Sequence, residues 1–551
     1  MKSRDGFTFY NQLLEKEVNR RTFLRLAAGG LAAAGTFHLG LPWSLAATPR
    51  TFDVGTPKYG GTITIGLGGN PDTLDPHHTS YLLAIKIHSN IYNGILKITY
   101  DGKNVRFEPD LAKEWEIKEE KIHTFRFHQG VHFHNGDELT AEGVKWSLER
   151  VMNPAEKSFH AWKLAAVEKL EVLDKYTLRM TLKHPDPFLP VALTGSTGRA
   201  GTIVNRRAVE QYGKEYGHRP VGTGPFKFVE WVENSHITLE RNPDYFEKDG
   251  AGNQLPFLDR VHIKIIEEES SRIAAIETGE IDGMDSAPYQ FVSRLRQNPK
   301  LNVYTQVGGN YWHLSMHCGR PPFNNKTLRQ AVAFAIDRDA FIKAIFFGEA
   351  IPAHAAISPP MTDFWDPELE SDKNGQYYDL EKAKALVKKS GYDGREAIYV
   401  AQSWGNGPRR AQVLQAMLAR AGIRVKLTLN ESASWRKRWR SGDYDLIDFG
   451  WWADLDPDET LYPEWRSGEK WNFGQYSNPE FDRLVDAARR TIDVAKRREL
   501  YSKAQRILVE DAPCAFIAHV NEHKVFAKYV RGFNPIPADL IDMHSVWLEK
   551  A

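Results

Sequence analysis

The chain has 551 residues, with 72 Lys and Arg set against 71 Asp and Glu. That length exceeds a single simple core, so two or more lobes are expected. A formal net charge of +1 lacks the basic footprint of a nucleic-acid binder. The two cysteines, Cys318 and Cys514, leave no metal-ligand or redox spacing and are expected as separate buried thiols. Aromatics are abundant, with 15 Trp and 21 Tyr. These rings line carbohydrate and peptide sites because each offers an apolar face and a polar edge.

The N-terminus reads as an export address. Asn19, Arg20, Arg21, Thr22, Phe23, Leu24 and Arg25 precede a weakly apolar run from Leu26 to Leu41, and Ser44, Ala46 and Ala47 follow. Paired arginines before Phe-Leu resemble the twin-arginine signal, with Asn19 where Ser or Thr is usual. Residues 1–47 are therefore expected to be a cleaved signal peptide. Four glycines in the apolar run argue against a membrane anchor.

Alternation over Thr62–Leu67 predicts a first strand, and a helix is expected from Leu82 to Tyr92. His123–Phe127 is a strand and His132–Gly136 a turn. Thr140 is placed to cap a helix reaching Met152, with Glu142 early and Arg150 late. His128, His132 and His134 have no carboxylate spaced to complete a metal site and are assigned to a surface hairpin. Glu171–Leu182 reads as one strand. Val221–Phe226 is a glycine turn without the Lys-Ser/Thr of a phosphate loop. Strands follow at His236–Glu240 and Val261–Ile266, then a helix over Ser270–Thr278 and a strand over Leu301–Thr305.

Asn310–Met316 begins a second unit. Thr327–Ile336 is an amphipathic helix, and Leu380–Ser390 another, closed by Gly391. Ala397–Ala401, Arg409–Ala421 and Val425–Leu429 form a strand–helix–strand unit, which implies a parallel sheet. After a helix at Trp435–Arg440 comes the most informative stretch, Asp445 to Pro463. An apolar strand leaves through Trp451 and Trp452 into a loop holding Asp454, Asp456, Asp458 and Glu459. Open α/β sheets place ligands at such strand ends. Helices at Glu480–Arg490 and Lys496–Glu510 and two strands, Ala515–Ala518 and Lys524–Ala527, end the chain.

Several segments together resemble the family 5 extracellular solute-binding proteins of ABC importers. Pro109–Trp115, Gly130–Gly136 and Leu139–Leu148 are similar to that family's signature region, with Gly143 where Asp is usual. Val221–Phe226 with Arg241–Phe246, Pro321–Phe323, Leu328–Asp337 and Arg498–Glu510 follow in the family's order. The resemblance implies an α/β fold of two lobes, the type II periplasmic-binding-protein fold, with the ligand in the cleft between them. Lobe I is then 56–305 with 515–551, carrying an extra subdomain at about 100–219. Lobe II is 306–514, and the chain crosses between lobes near Thr305 and Ala515.

The resemblance also implies a site. In peptide binders of this family a second-lobe aspartate meets the ligand's α-ammonium, and Trp452-Ala453-Asp454 matches that motif, which assigns Asp454. A buried ammonium needs such a carboxylate to offset its desolvation. Asp456 and Asp458 are expected only to shape the turn. Of Trp451 and Trp452, one is expected to stack on ligand and the other to be core. Trp404 is a further aromatic candidate, and Arg409 and Arg410 at a helix N-terminus are placed to hold a carboxylate. No residue matches the arginine some dipeptide binders use for the ligand's C-terminus; Gln402 and Ser403 stand near that position. On lobe I, Thr79, Ser80, Tyr81, Asn93 and Ser196 fall where the family approaches ligand.

The expected protein is a monomeric periplasmic receptor for a peptide or related amino-containing solute, partnered by an inner-membrane ABC permease, without cofactor or metal. The competing readings are a receptor for an oligosaccharide or a metal complex, and an exported hydrolase. The hydrolase reading lacks a nucleophile elbow or zinc motif.

Overall fold

The computed structural model describes residues 55–101, 104–370, 374–452 and 454–549. The expected signal segment, 1–47, lies outside the described residues. The fold is two-lobed and α/β, and both lobes are built on one strand. Cys514–Ala527 is a single strand of 14 residues rather than the expected pair. Its first part pairs antiparallel with Trp312–Ser315 and with Ala350–Pro352. From Asn521 onward it pairs antiparallel with Leu301–Val307. Its partners change at Val520 and Asn521, later than the crossing expected near Ala515. The polar run Asn521-Glu522-His523 hides this continuity in the sequence. In the fold these groups are half-buried or buried: Asn310 donates to Glu522 Oε1 at 3.5 Å, and the Thr305 hydroxyl lies 3.0 Å from His523 Nδ1.

In lobe I, Thr62–Leu67 lies parallel to Arg260–Ile265 and to Gly283–Met284. His236–Arg241 and Phe226–Val232 extend the sheet antiparallel. In lobe II, Asn310–Met316 runs antiparallel to Leu446–Trp452, and Ala397–Gln402 runs parallel to both Val425–Asn430 and Leu446–Ile447. This is the parallel unit expected from the strand–helix–strand pattern. Its core gathers Leu314, Val332, Tyr399, Leu414 and Ile517, all buried.

A third core, around Leu111, Phe125, Leu148, Leu178 and Phe188, belongs to a four-stranded antiparallel sheet. Its strands are Ala112–Lys118, Ile122–Phe127, Val167–Asp174 and Thr177–Leu182. The expected single strand over Glu171–Leu182 is thus a hairpin, because the Asp174 carboxylate accepts from the Tyr176 amide at 2.9 Å and turns the chain. The Ala141–Met152 helix packs on this sheet, and the Thr140 hydroxyl accepts from the Gly143 amide at 3.3 Å, the cap read from sequence. His134 is not a free surface histidine: its ring lies 3.0 Å from the Gly224 carbonyl oxygen and accepts from the Gly222 amide at 3.4 Å.

The glycine turn at 222–224 is a packing device. A Cβ on Gly222 would lie 2.1 Å from the Ile91 carbonyl oxygen, whereas one on Gly143 meets only Thr140 Oγ1 at 3.7 Å. Gly222→Ala is expected to destabilise by about 1–3 kcal/mol through overpacking. Gly143→Ala is expected to stabilise the helix by up to ~1 kcal/mol. Thermal midpoints moving in opposite directions check the pair; a fall of equal size in both contradicts it.

Candidate functional site

The loop after Trp452 is short. Asp456 caps a helix, Pro457–Trp465, by accepting from the Asp458 amide at 2.8 Å. The expected acid-rich loop is therefore mostly a helix N-terminus, which accounts for three of its four acids: Asp456 at the cap and Asp458 and Glu459 in the first turn. Asp456 accepts from the two terminal guanidinium nitrogens of Arg497, at 2.7 and 2.8 Å. Asp458 pairs with Arg489 at 3.0 Å and accepts from the Tyr501 hydroxyl at 3.1 Å. Both acids hold the helix against its neighbours.

Asp454 and Glu459 face the other lobe. The Lys163 ammonium, on a short helix of the extra sheet domain, bonds Asp454 Oδ2 and lies 2.8 Å from Glu459 Oε2. Arg199 Nη2 is 3.2 Å from Asp454 Oδ1 and 3.9 Å from Glu459 Oε1. Lys163, Asp454 and Glu459 are buried, and Arg199 nearly so. The Lys163 ammonium also lies 5.5 Å from the Trp162 ring centroid and 5.8 Å from that of Phe188. Burial works against ionisation of Asp454, but Arg199 and Lys163 outweigh it and hold this carboxyl below its ordinary range. Burial, aided by the Asp454 charge, pushes Glu459 up to about 8.

Both sides of this bridge carry strained backbone. Arg199 and Leu455, the residue after Asp454, each have φ of 64°. Non-glycine residues hold that conformation at a cost of roughly 1–3 kcal/mol, and such strain gathers at functional sites. Lys163 is positioned from lobe I: its amide donates to the His160 carbonyl at 3.0 Å, and the His160 ring lies 2.9 Å from the Thr79 carbonyl oxygen. Ser158 likewise donates to the His77 carbonyl at 2.8 Å. The 77–81 segment, where Ser80 and Tyr81 were expected to approach ligand, thus carries the lysine that crosses between lobes. A neighbouring contact has the same sense: buried Asp186 lies near Arg489 and Arg497 of lobe II.

The remaining candidates separate into groups. Trp452 ends its strand opposite Asn310, between the tail strand and the Asp454 bridge, and leaves 37% of its surface exposed. Ser80 and Tyr81 are exposed on lobe I, with Tyr81 in the field of Arg436 of lobe II. Trp404 is exposed and packs edge-on against Trp435, at 6.1 Å between centroids. Trp451 is half-buried, and its indole donates to the Glu459 carbonyl at 3.0 Å. Arg409 is exposed and lies over the Phe347 ring at 5.5 Å, and Arg410 is buried against Asp448 at 2.7 Å. The pair of arginines expected to hold a carboxylate is divided in this way. Asn93 is buried among Asp110, Tyr245 and Thr223 and lines a lobe I cavity of about 70 Å³ with Ser196. Neither thiol is in a disulfide. Among the described residues, no group of three or more His, Cys, Asp or Glu could hold a metal ion, and no helix is long and apolar enough to cross a membrane.

Sequence reasoning missed Lys163 and Arg199. Arg199 had a signal, being a lone cation in the small-residue run Thr194–Gly201. Lys163 had none, since Ala161–Leu164 is too short to show a period.

The family model described as "Bacterial extracellular solute-binding proteins, family 5 Middle" matches residues 106–473. The chain belongs to the family 5 extracellular solute-binding proteins. Among its relatives in this family, glutathione-binding protein GsiB of Pectobacterium atrosepticum is 28% identical over 515 residues, covering 90% of this chain and 96% of the relative. The periplasmic binding protein DppA of Helicobacter pylori, solved with peptide STSA, superposes with a TM-score of 0.79 at 29% identity, covering 90% of this chain and 99% of that one. AgaA of A. tumefaciens R10, solved with agropinic acid, gives 0.78 at 27%, covering 89% and 99%.

The raised Glu459 predicts a pH signature. An unfolded chain releases this proton near the ordinary value of 4.5, and the folded one near 8. Between those values the folded state holds more protons, so this residue's contribution to stability falls as pH rises and levels off above the window. The thermal-midpoint profile of wild type minus that of Glu459→Gln is expected to decline from about pH 4.5 to about pH 8. A flat difference contradicts the assignment.

Proposed function

We propose that this solute-binding protein is the exported receptor of an ABC importer, capturing a peptide or related amino-containing solute by closing its lobes and passing it to an inner-membrane permease. The observation that carries the reading is end-to-end similarity to a glutathione-binding protein and to an ABC transporter-associated protein solved with a peptide. The twin-arginine-like Asn19–Arg25 segment supports a periplasmic destination. The receptor works as a monomer and by binding alone, without turnover.

The proposed division is 56–305 with the end of the chain as lobe I and 306 to the tail strand as lobe II. The lobes turn about the two crossings, at Val307–Asn310 and at Val520–Asn521. Ligand shifts the population toward the closed arrangement through contacts with both lobes. Tyr81 and Ser80 supply the lobe I face, and Trp452 and Trp404 the lobe II face, with Asp454 and Glu459 at one end. Exposed rings there offer area with little conformational entropy to lose. AgaA, solved with agropinic acid, favours a second reading in which the amino-containing solute is not a peptide.

Titration calorimetry of the purified mature protein against a pool of tri- to pentapeptides is expected to show saturable binding. Trp452→Ala is expected to weaken it at least about tenfold, ~1.4 kcal/mol. Binding of oligosaccharides in place of peptides, or unchanged affinity in Trp452→Ala, contradicts the respective part of the proposal.

A further inference from the structure

The acid pole of the cleft is already paired. Asp454 receives two cations from the opposite lobe, with Lys163 bonded to one carboxylate oxygen and Arg199 Nη2 3.2 Å from the other. Glu459 shares the same lysine at 2.8 Å. With both acids ionised, two positive and two negative charges balance. Burial, aided by the Asp454 charge, keeps Glu459 protonated near neutrality, and the pole is then positive by one charge. In neither case is a carboxylate left over for a further cation.

A ligand ammonium would have to displace Lys163. That lysine is buried to 1% exposure and held by a helix pinned to the Thr79 and His77 carbonyls. Displaced from Asp454, its ammonium would keep only Glu459, whose ionisation burial opposes, among the Trp162 and Phe188 rings. Buried charges that lose their ionised partner are unfavourable. Lys163 is also tethered, so it competes at a high effective concentration whenever the lobes meet. Arg199 adds a donor: among the described residues its buried Nε has no hydrogen-bond partner.

We infer that the cleft selects against a free α-ammonium at the Asp454 pole, and that Lys163 and Arg199 are specificity residues favouring solutes whose amino nitrogen is acylated and uncharged. This rests on the receptor reading above and narrows its ligand class. An acylated nitrogen brings no charge to displace Lys163. The same lysine and arginine draw the lobes together over such a ligand, because closure completes their pairing rather than disrupting it.

The test uses the tri- to pentapeptide pool and the same pool N-acetylated, titrated into wild type and Lys163→Met. Wild type is expected to bind the acetylated pool at least tenfold more tightly. Lys163→Met, which frees an acid for a ligand cation, is expected to gain at least tenfold for the free-amino pool. Equal or tighter binding of the free-amino pool by wild type overturns the inference and leaves the receptor reading standing. Failure of both folded proteins to bind either pool overturns the peptide reading, and the inference falls with it. Should Lys163→Met not fold, solute released from natively purified wild type decides the matter by mass spectrometry with and without an amine-reactive reagent. An unlabelled solute nitrogen is expected, and a solute carrying a labelled α-amino group overturns the inference.

Discussion

Two lobes that meet in a dry contact must match their charges, and here that match is made by Lys163 and Arg199 against Asp454 and Glu459. A buried ion pair is weak evidence of net stability, because desolvation consumes most of the attraction. Its strength lies in what breaking it costs: removing one partner leaves the other buried and charged. Such a bridge specifies a lobe arrangement better than it stabilises a lobe. It also fixes what else can occupy the same few ångströms.

The backbone supplies the complementary constraint. The Cys514–Ala527 strand belongs to both lobes, and its partners change from one to the other at Val520 and Asn521. A pair near this crossing, Arg296 with Glu349, joins a lobe I helix to the approach of the Ala350–Pro352 strand. The tail beyond is tied down inside lobe I, where Asp539 lies 3.1 Å from Lys86 and 2.5 Å from Lys524. The molecule thus has a continuous sheet at one edge of the cleft and a charge contact at another, with Trp452 on the strand between them.

Elements with strong periodicity were legible in the sequence. The Thr62–Leu67 strand, the Thr140 cap and the parallel Ala397–Asn430 unit all follow from local pattern. Misreadings arose where side chains override pattern. Asp174 turns a hairpin inside an apparently continuous strand, Asp456 starts a helix inside an apparent loop, and the polar residues 521–523 hide a strand's continuity. The candidate site was half legible. Asp454 and Trp452 stand out because acids and aromatics cluster in one stretch. Their partners Lys163 and Arg199 lie 291 and 255 residues away and are related to them only by tertiary structure. The two arginines at 409 and 410 look equivalent in sequence, yet one is exposed and the other is locked to Asp448, because adjacent helical positions point to different faces.

A crystal structure of the natively purified protein with its own solute bound tests the central claim most directly. The account predicts the Lys163 ammonium still on Asp454, with no ligand ammonium within hydrogen-bond distance of that carboxylate. A ligand ammonium on Asp454, with Lys163 displaced, would contradict it.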